Sequence, residues 1–449
     1  MRFMKFFSMT LPFLAVHAAA LAQPTVLTLG QARQMALEKN INVIQAQANV
    51  EAAQGQALAA DGQWLPNLSA RGGWTRSQND IKGGTRLIDG LQLDVDDQFS
   101  VVNNFSTGLS LGYTLFDGFS RSSNVAAATA AAVSSEMTAS RSRQSAVFQV
   151  ETGYLNVLRN ERLVTVSEEN LKRDQRQLER IIESYRVGAL SIADVYRQQS
   201  QVAQDELDLI RAKNAYETSK LDVVALIGLD VNQDYIFTTE GIDVEADSVE
   251  MAETLSKYRD LRELNTRAVE ARPDYRGAQE DLFASEKGVT TAESGYWPTL
   301  DAFASYGLQN PEFNRLSDNK NLQWGVNFRW NLFDQFRTNE GIQNAIARQR
   351  NAEIALVQAE RDIGVQVKKA MLDLEASAKS VWVSRKALVA AQEDYKIAEE
   401  RYNLGAGTLL DLLVANASLV NAQVVLVNSV TTYNFSQFNL EYSLGERVY

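Results

Sequence analysis

Apolar residues recur at every seventh position along much of this chain, and no proline interrupts them. Val150, Val157, Val164, Leu171, Leu178 and Tyr185 are each seven apart. Beyond a Tyr-x-x-Gly turn the spacing resumes as Val195, Val202, Leu209, Tyr216 and Val223. The chain holds 6 prolines, none between Pro66 and Pro273 and none after Pro311. A seven-residue apolar repeat is the seam of a coiled coil. The spacing therefore predicts two paired helices joined by a tight turn. The first would run from about 119 to 186, roughly 100 Å at 1.5 Å per residue, where an ordinary helix makes about three turns.

The pattern occurs twice. Val367, Leu374, Val381, Leu388, Tyr395 and Tyr402 lie 217 residues after the first series, and Leu412, Leu419, Leu426, Tyr433 and Leu440 after the second. At the same offset Leu115-Phe116-Asp117-Gly118-Phe119 returns as Leu332-Phe333-Asp334-Gln335-Phe336, and Tyr185-Arg186-Val187-Gly188 as Tyr402-Asn403-Leu404-Gly405. Upstream the offset becomes 232, with Pro66 on Pro298 and Leu68 on Leu300. The first copy thus carries 15 extra residues between Trp74 and Asn104. A fixed offset over most of a chain marks an internal duplication. The expected layout is a leader at 1–22, one repeat at 23–228, an acidic linker at 229–257, and a second repeat at 258–449. Segment 229–256 holds eight acidic residues and no Lys or Arg, unlike either repeat.

A different period precedes each long helix. Leu322, Trp324, Val326, Phe328, Trp330 and Leu332 alternate with Gln323, Gly325, Asn327, Arg329 and Asn331. Phe105, Leu109, Leu111, Tyr113 and Leu115 alternate with Ser106, Gly108, Ser110, Gly112 and Thr114. Period two with one apolar face is a β-strand. Residues 67–75 and 299–308 supply weaker partners. Large apolar residues on one face and small polar ones on the other suit a barrel with lipid outside and water inside. Four strands cannot close a barrel, whose smallest membrane forms have about eight. Three chains would supply twelve, enough for an aqueous lumen.

The first 22 residues carry Arg2 and Lys5, an apolar run, and Ala20-Leu21-Ala22, the pattern of a secretory leader cut after Ala22. No Cys follows the cut, which excludes a lipidated N-terminus, and no later stretch reads as a membrane-spanning helix. The chain has no Cys, and its single His is His17 within the leader. Thiolate and imidazole metal sites, disulfides and a Ser-His-Asp triad are therefore excluded from the mature chain. Lys and Arg number 44 against 56 acids, a net −12; losing Arg2 and Lys5 leaves 42 against 56, or −14. That balance argues against nucleic acid as a partner. No catalytic constellation, cofactor motif or metal motif is apparent. Asp80, Asp89, Asp94, Asp96 and Asp97 fall in 76–104, read as a solvated surface loop without a calcium-loop pattern.

Together these features resemble the TolC-like outer-membrane efflux and type I secretion channels. The resemblance covers essentially the whole mature chain. It rests on the duplicated helix–strand–strand–helix order and the Leu-Phe-Asp-x-Phe junctions. It also rests on two turn motifs, Tyr185-x-x-Gly188-x-x-Ser191-x-x-Asp194 and Tyr402-x-x-Gly405-x-x-Thr408-x-x-Asp411. It implies a mainly α chain with membrane β-strands, forming a homotrimer. The trimer would be a twelve-stranded barrel in outer-membrane lipid, continuous with an α-helical tunnel in the periplasm. It further implies docking of a periplasmic adaptor (membrane fusion) protein and an inner-membrane ABC or proton-driven transporter. The remaining alternative is a periplasmic or secreted coiled-coil scaffold or adhesin without a pore, which would explain the heptads but not the aromatic strands.

The turns themselves carry the candidate site. Gly188 and Gly405 stand where a left-handed residue ends a helix. Ser191 and Thr408 sit at N-cap positions, with Asp194 and Asp411 three residues on, a capping box with Asp in place of Glu. The same two aspartates, in a trimer, could form a ring of six carboxylates favouring cations at a tunnel mouth. The resemblance places Tyr402 and Asp411 at a gate closed by polar links. Gly407 and Val414 stand where that family's gate has an arginine and a second aspartate, so a more easily opened gate is expected. Val187, Gly188, Ala189, Leu190, Leu404, Gly405 and Ala406 are the candidate adaptor-docking residues; simple turn packing is the other reading.

Overall fold

The structure is a computed structural model that describes residues 25–88 and 91–447. The expected leader, with His17, and Asp89 lie outside the described residues. The first copy runs β1 (Thr25–Leu27), α1 (Leu29–Lys39), α2 (Ile41–Gly62), β2 (Asn67–Ile81), β3 (Gly84–Ile88), β4 (Leu91–Val95), β5 (Gln98–Phe116), α3 (Ser120–Arg186) and α4 (Ile192–Leu226). The segment between copies holds β6 (Tyr235–Phe237) and α5 (Ser248–Lys257). The second copy follows as α6 (Leu261–Ala271), α7 (Pro273–Glu293), β7 (Thr299–Asn310), β8 (Lys320–Arg329), α8 (Arg337–Asn403) and α9 (Leu409–Leu444). Helices α3 and α8 are 67 residues each, within a residue of the expected bounds of about 119–186 and, one repeat later, about 336–403. Two compact units emerge. Among the described residues, one comprises 25–40, 149–250 and 377–435; the other comprises 41–88, 91–148, 251–376 and 436–447.

The second unit contains an antiparallel sheet of order β2-β5-β7-β8. Register decides its faces, because directly paired residues share a side. Leu111 faces Leu68 and Ala304, and Ala304 faces Trp324. Leu109 faces Ala70 and Tyr306, and Tyr306 faces Leu322. One apolar face thus runs across all four strands, with Trp324 79% and Leu322 67% exposed. The other face carries Ser69 and Ser110, whose hydroxyls lie 2.7 Å apart, and Thr114, which donates to Asp301 at 2.7 Å. Phe303, lying over Gly325, breaks this face, as do Val102 and Ile81 further along β5 and β2.

Segment 76–104 is a correction. It is not a solvated loop but mostly strand: β2 continues to Ile81, β5 begins at Gln98, and β3–β4 make a further hairpin. The first-copy ribbon is therefore longer than β7–β8, which accounts for the 15 extra residues. Its apolar residues fall on both faces, Phe99 and Val101 on one and Ile81 and Val102 on the other, so no clean period of two marks it. Two of its acids act locally: Asp97 accepts the Gly83 N–H at 2.6 Å and Asp94 the Thr85 hydroxyl at 3.3 Å.

Strand passes to helix at the Leu-Phe-Asp-x-Phe motifs by two consecutive left-handed residues. These are Gly118 (φ 66°) and Phe119 (φ 70°) in one copy, and Gln335 (φ 61°) and Phe336 (φ 65°) in the other. The aspartate then caps the long helix. Asp117 accepts from the Arg121 N–H (3.1 Å) and Nε (2.8 Å); Asp334 accepts from the Thr338 N–H (2.8 Å) and hydroxyl (2.5 Å). Phe116 with Phe119, and Phe333 with Phe336, meet edge to face at 5.7 Å.

In the first unit the heptad seams hold only in part. Val150, Val157, Val195 and Val202 are buried, as are Val381, Leu412 and Leu419. Val164, Leu171 and Leu178 are half-exposed, and the buried positions of α3 beyond Val157 include Asn160, Asn170, Asp174 and Gln177. The 229–257 segment is folded rather than loose. β6 pairs in parallel with β1, and the buried Tyr154 hydroxyl lies 2.8 Å from Leu27 O and 2.7 Å from Thr238 O while accepting the Thr238 N–H. Asn434 donates to Asp243 O at 2.8 Å, and Arg385 to the carbonyls of Glu245 and Ala246. A second correction concerns α9, which is long and apolar enough by composition to cross a membrane. Uncharged Asn, Ser and Gln break its apolar run in sequence. Leu412, Ala415, Leu419, Ala422 and Tyr433 form a buried stripe at helical spacing, which is how a coiled-coil helix uses such composition.

Candidate functional site

The two Tyr-x-x-Gly turns adopt the same geometry, residue for residue. After α3, the Gly188 N–H bonds Tyr185 O (2.9 Å) and the Ala189 N–H bonds Ser184 O (2.8 Å), with Gly188 at φ 76°. After α8, the Gly405 N–H bonds Tyr402 O (3.0 Å) and the Ala406 N–H bonds Arg401 O (2.8 Å), with Gly405 at φ 71°. This is a Schellman ending, which occupies the last carbonyls of the helix and needs a left-handed residue at its pivot.

The following helices start with the capping box. Ser191 Oγ donates to Asp194 Oδ2 at 2.7 Å, while the Asp194 N–H returns to Ser191 Oγ at 3.3 Å. Thr408 Oγ1 donates to Asp411 Oδ2 at 2.8 Å, and the Asp411 N–H returns at 3.2 Å. Both aspartates thus have a structural task. They differ in their surroundings: Asp194 also ion-pairs with Arg197 at 3.3 Å. Bonds from Thr408 hold the Asp411 carboxyl below the usual carboxylate range, with Arg401 adding a smaller effect.

Tyr402 packs against the buried cluster of Ile181, Val195 and Leu409. Burial, and then the charge of Asp194, push its phenol up. Its hydroxyl is buried without a hydrogen-bond partner. Tyr402 thus packs against the cluster that holds Val195, next in sequence to Asp194, whose charge it feels, whereas Asp411 answers to Thr408 and Arg401 of its own hairpin. Among the docking candidates, Val187 and Leu404 are 80% and 83% exposed, and Ala189 and Ala406 are exposed beside them. Leu190 instead packs onto the Ile181 cluster. A Cβ added at Gly188 or Gly405 would meet nothing within 4 Å. Gly407 is tighter: a Cβ there would stand 3.2 Å from Arg401 Cβ and 3.3 Å from Tyr402 N. Arg401, which the sequence reading passed over, crosses this turn with its guanidinium 3.5 Å from Ala406 O. Its place one residue before Tyr402 was the available signal.

A four-stranded sheet with a continuous exposed apolar face, joined to 67-residue helices that end in exposed turns, defines the class of outer-membrane exit channels. The sequence profile described as outer membrane efflux protein matches residues 32–229 and 264–446. The chain is similar to outer membrane protein TolC of Salmonella enteritidis, 25% identical over 355 residues, covering 76% of this chain and 69% of that protein. It is also similar to the pyoverdine export outer membrane protein OpmQ of Pseudomonas aeruginosa, 24% identical, covering 87% and 79% of the two chains. Among solved structures, the CmeC outer membrane channel of Campylobacter jejuni has a TM-score of 0.76 at 19% identity, covering 93% of this chain and 85% of that one. The chain belongs to the outer membrane efflux protein family, and it is an exit channel of the outer membrane whose helical part lies in the periplasm.

Proposed function

We propose that three copies close one twelve-stranded barrel, the β8 edge of each chain pairing with the β2 edge of the next, and that the turns at 185–194 and 402–411 form the periplasmic mouth. Both edges lack a strand partner among the described residues, and backbone groups in lipid must find partners. Asp194, Asp411 and Tyr402 are the gate residues. Val187, Gly188, Ala189, Leu404, Gly405 and Ala406 form the surface for a periplasmic adaptor, with Leu190 supporting them from beneath. Behind the adaptor stands an inner-membrane ABC or proton-driven transporter, so the channel itself is a passive duct. The mature chain starts at Gln23, with repeats at 23–228 and 258–449 around the linker.

The observation that carries this reading is the exposed turn built twice with one geometry and tipped by bare Val187 and Leu404. Replacing Gly188 and Gly405 with Trp is expected to abolish transport while leaving trimers intact on gels of unheated membranes. Transport that survives overturns the docking assignment. With Gly407 and Val414 in place of charged residues, the gate has few polar links. Its conductance in planar bilayers is expected to exceed that of family members that carry them.

A further inference from the structure

Among the apolar residues of the α3–α4 seam, such as Val195 and Val202, a set of polar side chains is buried about 15 to 27 Å of helix from the turn at Gly188. Asn170, Asp174 and Gln177 on α3, and Gln198 and Asp205 on α4, are each 8% exposed or less, and α9 adds Asn416 at 4%. Gln198 Nε2 donates to Asp174 O and Oδ1, both at 3.1 Å. Asn416 Nδ2 reaches Asp174 Oδ2 at 3.1 Å and Asn170 Oδ1 at 2.9 Å. Asn170 Nδ2 and Gln201 Nε2 both donate to Asp205 Oδ1 at 3.0 Å. Asp205 Oδ2 is buried and has no donor.

The duplication supplies a control. At the offset of 217, Asn170, Asp174, Gln198 and Asp205 correspond to Ala387, Ala391, Ala415 and Ala422. On α9, Ala415 and Ala422 are buried where α4 buries Gln198 and Asp205, so a buried helix face of this hairpin type does not require polar residues there. Two buried carboxylates side by side repel, and an unpaired charge in such a seam is costly. One proton resolves both problems, since Asp205 Oδ2–H can donate to the Asp174 carboxylate. A cation does not fit, because the neighbouring amides already point N–H groups at the carboxylates.

The other charged and titratable groups around the pair are few. Asp208 on α4 adds negative charge, Arg173 on α3 bonds Asn170 Oδ1 at 3.4 Å, and Tyr395 on α8 feels the charge of Asp174. Helix α9 presents only the neutral Asn416. Burial first, and then Asp174, push the Asp205 carboxyl up to about 8.

We propose that Asp174 and Asp205 share one proton and form a latch that ties α9 to the α3–α4 hairpin, and that losing this proton to solvent loosens the latch and eases opening of the mouth. The second half rests on the gate reading above; the shared proton does not. Deprotonation breaks the Asp205 O–H bond, passes the proton to water and leaves two like charges in the seam. The folded pKa lies above the unfolded 3.8, so the pair's stabilisation is complete below that value and is lost as pH rises through about 8.

Infrared titration of the purified trimer from pH 6 to 9 should show a protonated-carboxyl band vanishing with a midpoint near 8. The band should be absent in Asp205→Asn, and its midpoint should fall in Asp174→Asn, where the neighbouring charge is gone. A band that persists in Asp205→Asn, or stays unshifted in Asp174→Asn, overturns the pair. In planar bilayers the wild-type conductance should rise several-fold over the same pH range. Asp205→Asn, whose amide donates to Asp174 in place of the proton, should stay low throughout. A titrating band with pH-independent conductance overturns the latch. Trimers that never conduct while the band titrates support the pair and count against the exit-duct reading.

Discussion

The α3–α4 hairpin and the α8–α9 hairpin come from one duplicated unit, yet they are packed differently. They share length, turn geometry and capping, down to the same Schellman bonds and the same hydroxyl–carboxylate boxes. They part in the seam, where the first hairpin buries Asn170, Asp174, Gln198 and Asp205 and the second has buried Ala415 and Ala422 on α9 but leaves Ala387 exposed and Ala391 half-buried on α8. They part again at the strand-to-helix junction, where one copy has Gly118 and the other Gln335 at the same left-handed conformation. Turn geometry is set by local backbone rules that act alike in both copies. Seam and junction chemistry depends on neighbours, and each copy has its own.

The largest expected effect comes from forcing second-copy chemistry on the first at the junction. A Cβ at Gly118 would stand 2.7 Å from Trp297 Cβ and 2.8 Å from Ser294 O, on top of the left-handed strain. Gly118→Gln should destabilise the protein by about 3 kcal/mol, combining strain and overpacking, read as a lower Tm in detergent. Gln198→Ala, which copies Ala415, should cost about 2 kcal/mol because it strips two hydrogen bonds from the buried Asp174. Unchanged denaturation would show that the polar seam holds nothing together. The reverse exchange at the junction, Gln335→Gly, should raise stability by about 1 kcal/mol as strain is relieved.

The smallest effect concerns the capping boxes. The Asp411 carboxyl is held below the usual range by Thr408, so its contribution is present above the ordinary carboxylate pKa and is lost as pH falls through the lowered one. Hydrogen exchange in the first turn of α9 should accelerate on acidification in the wild type. In Asp411→Asn it should be fast already at neutral pH. Equal acid sensitivity in both would remove Asp411 from the cap.

Much of this was legible in the chain. Val150 to Tyr185 and their partners predict both 67-residue helices, because a heptad stripe free of proline has few other uses. Gly188 and Gly405 predict the turns, because only a left-handed residue closes a Schellman ending cheaply. The strands β5 and β8 are visible through their apolar faces, although the alternation read to Leu332 overshoots β8, which ends at Arg329. The ribbon at 76–104 is not, because its few apolar residues, such as Phe99 and Val102, fall on opposite faces, and strand pairing there rests on backbone bonds that leave no mark in composition. The polar seam was hidden for the opposite reason. Val164, Leu171 and Leu178 carry the heptad, but helix rotation buries Asn170, Asp174 and Gln177 instead, and rotation is set by neighbouring helices.

The sequence alone determined the periodic parts: rod length, the duplication, where helices stop, and which strand face is apolar. Each follows from steric and solvation rules acting within a few residues. Only the tertiary structure decided the strand order β2-β5-β7-β8, the packing of Tyr402 against Ile181 and Val195, and the burial of Asp174 beside Asp205. These join residues far apart in the chain, and their energies come from packing and desolvation that no local pattern records.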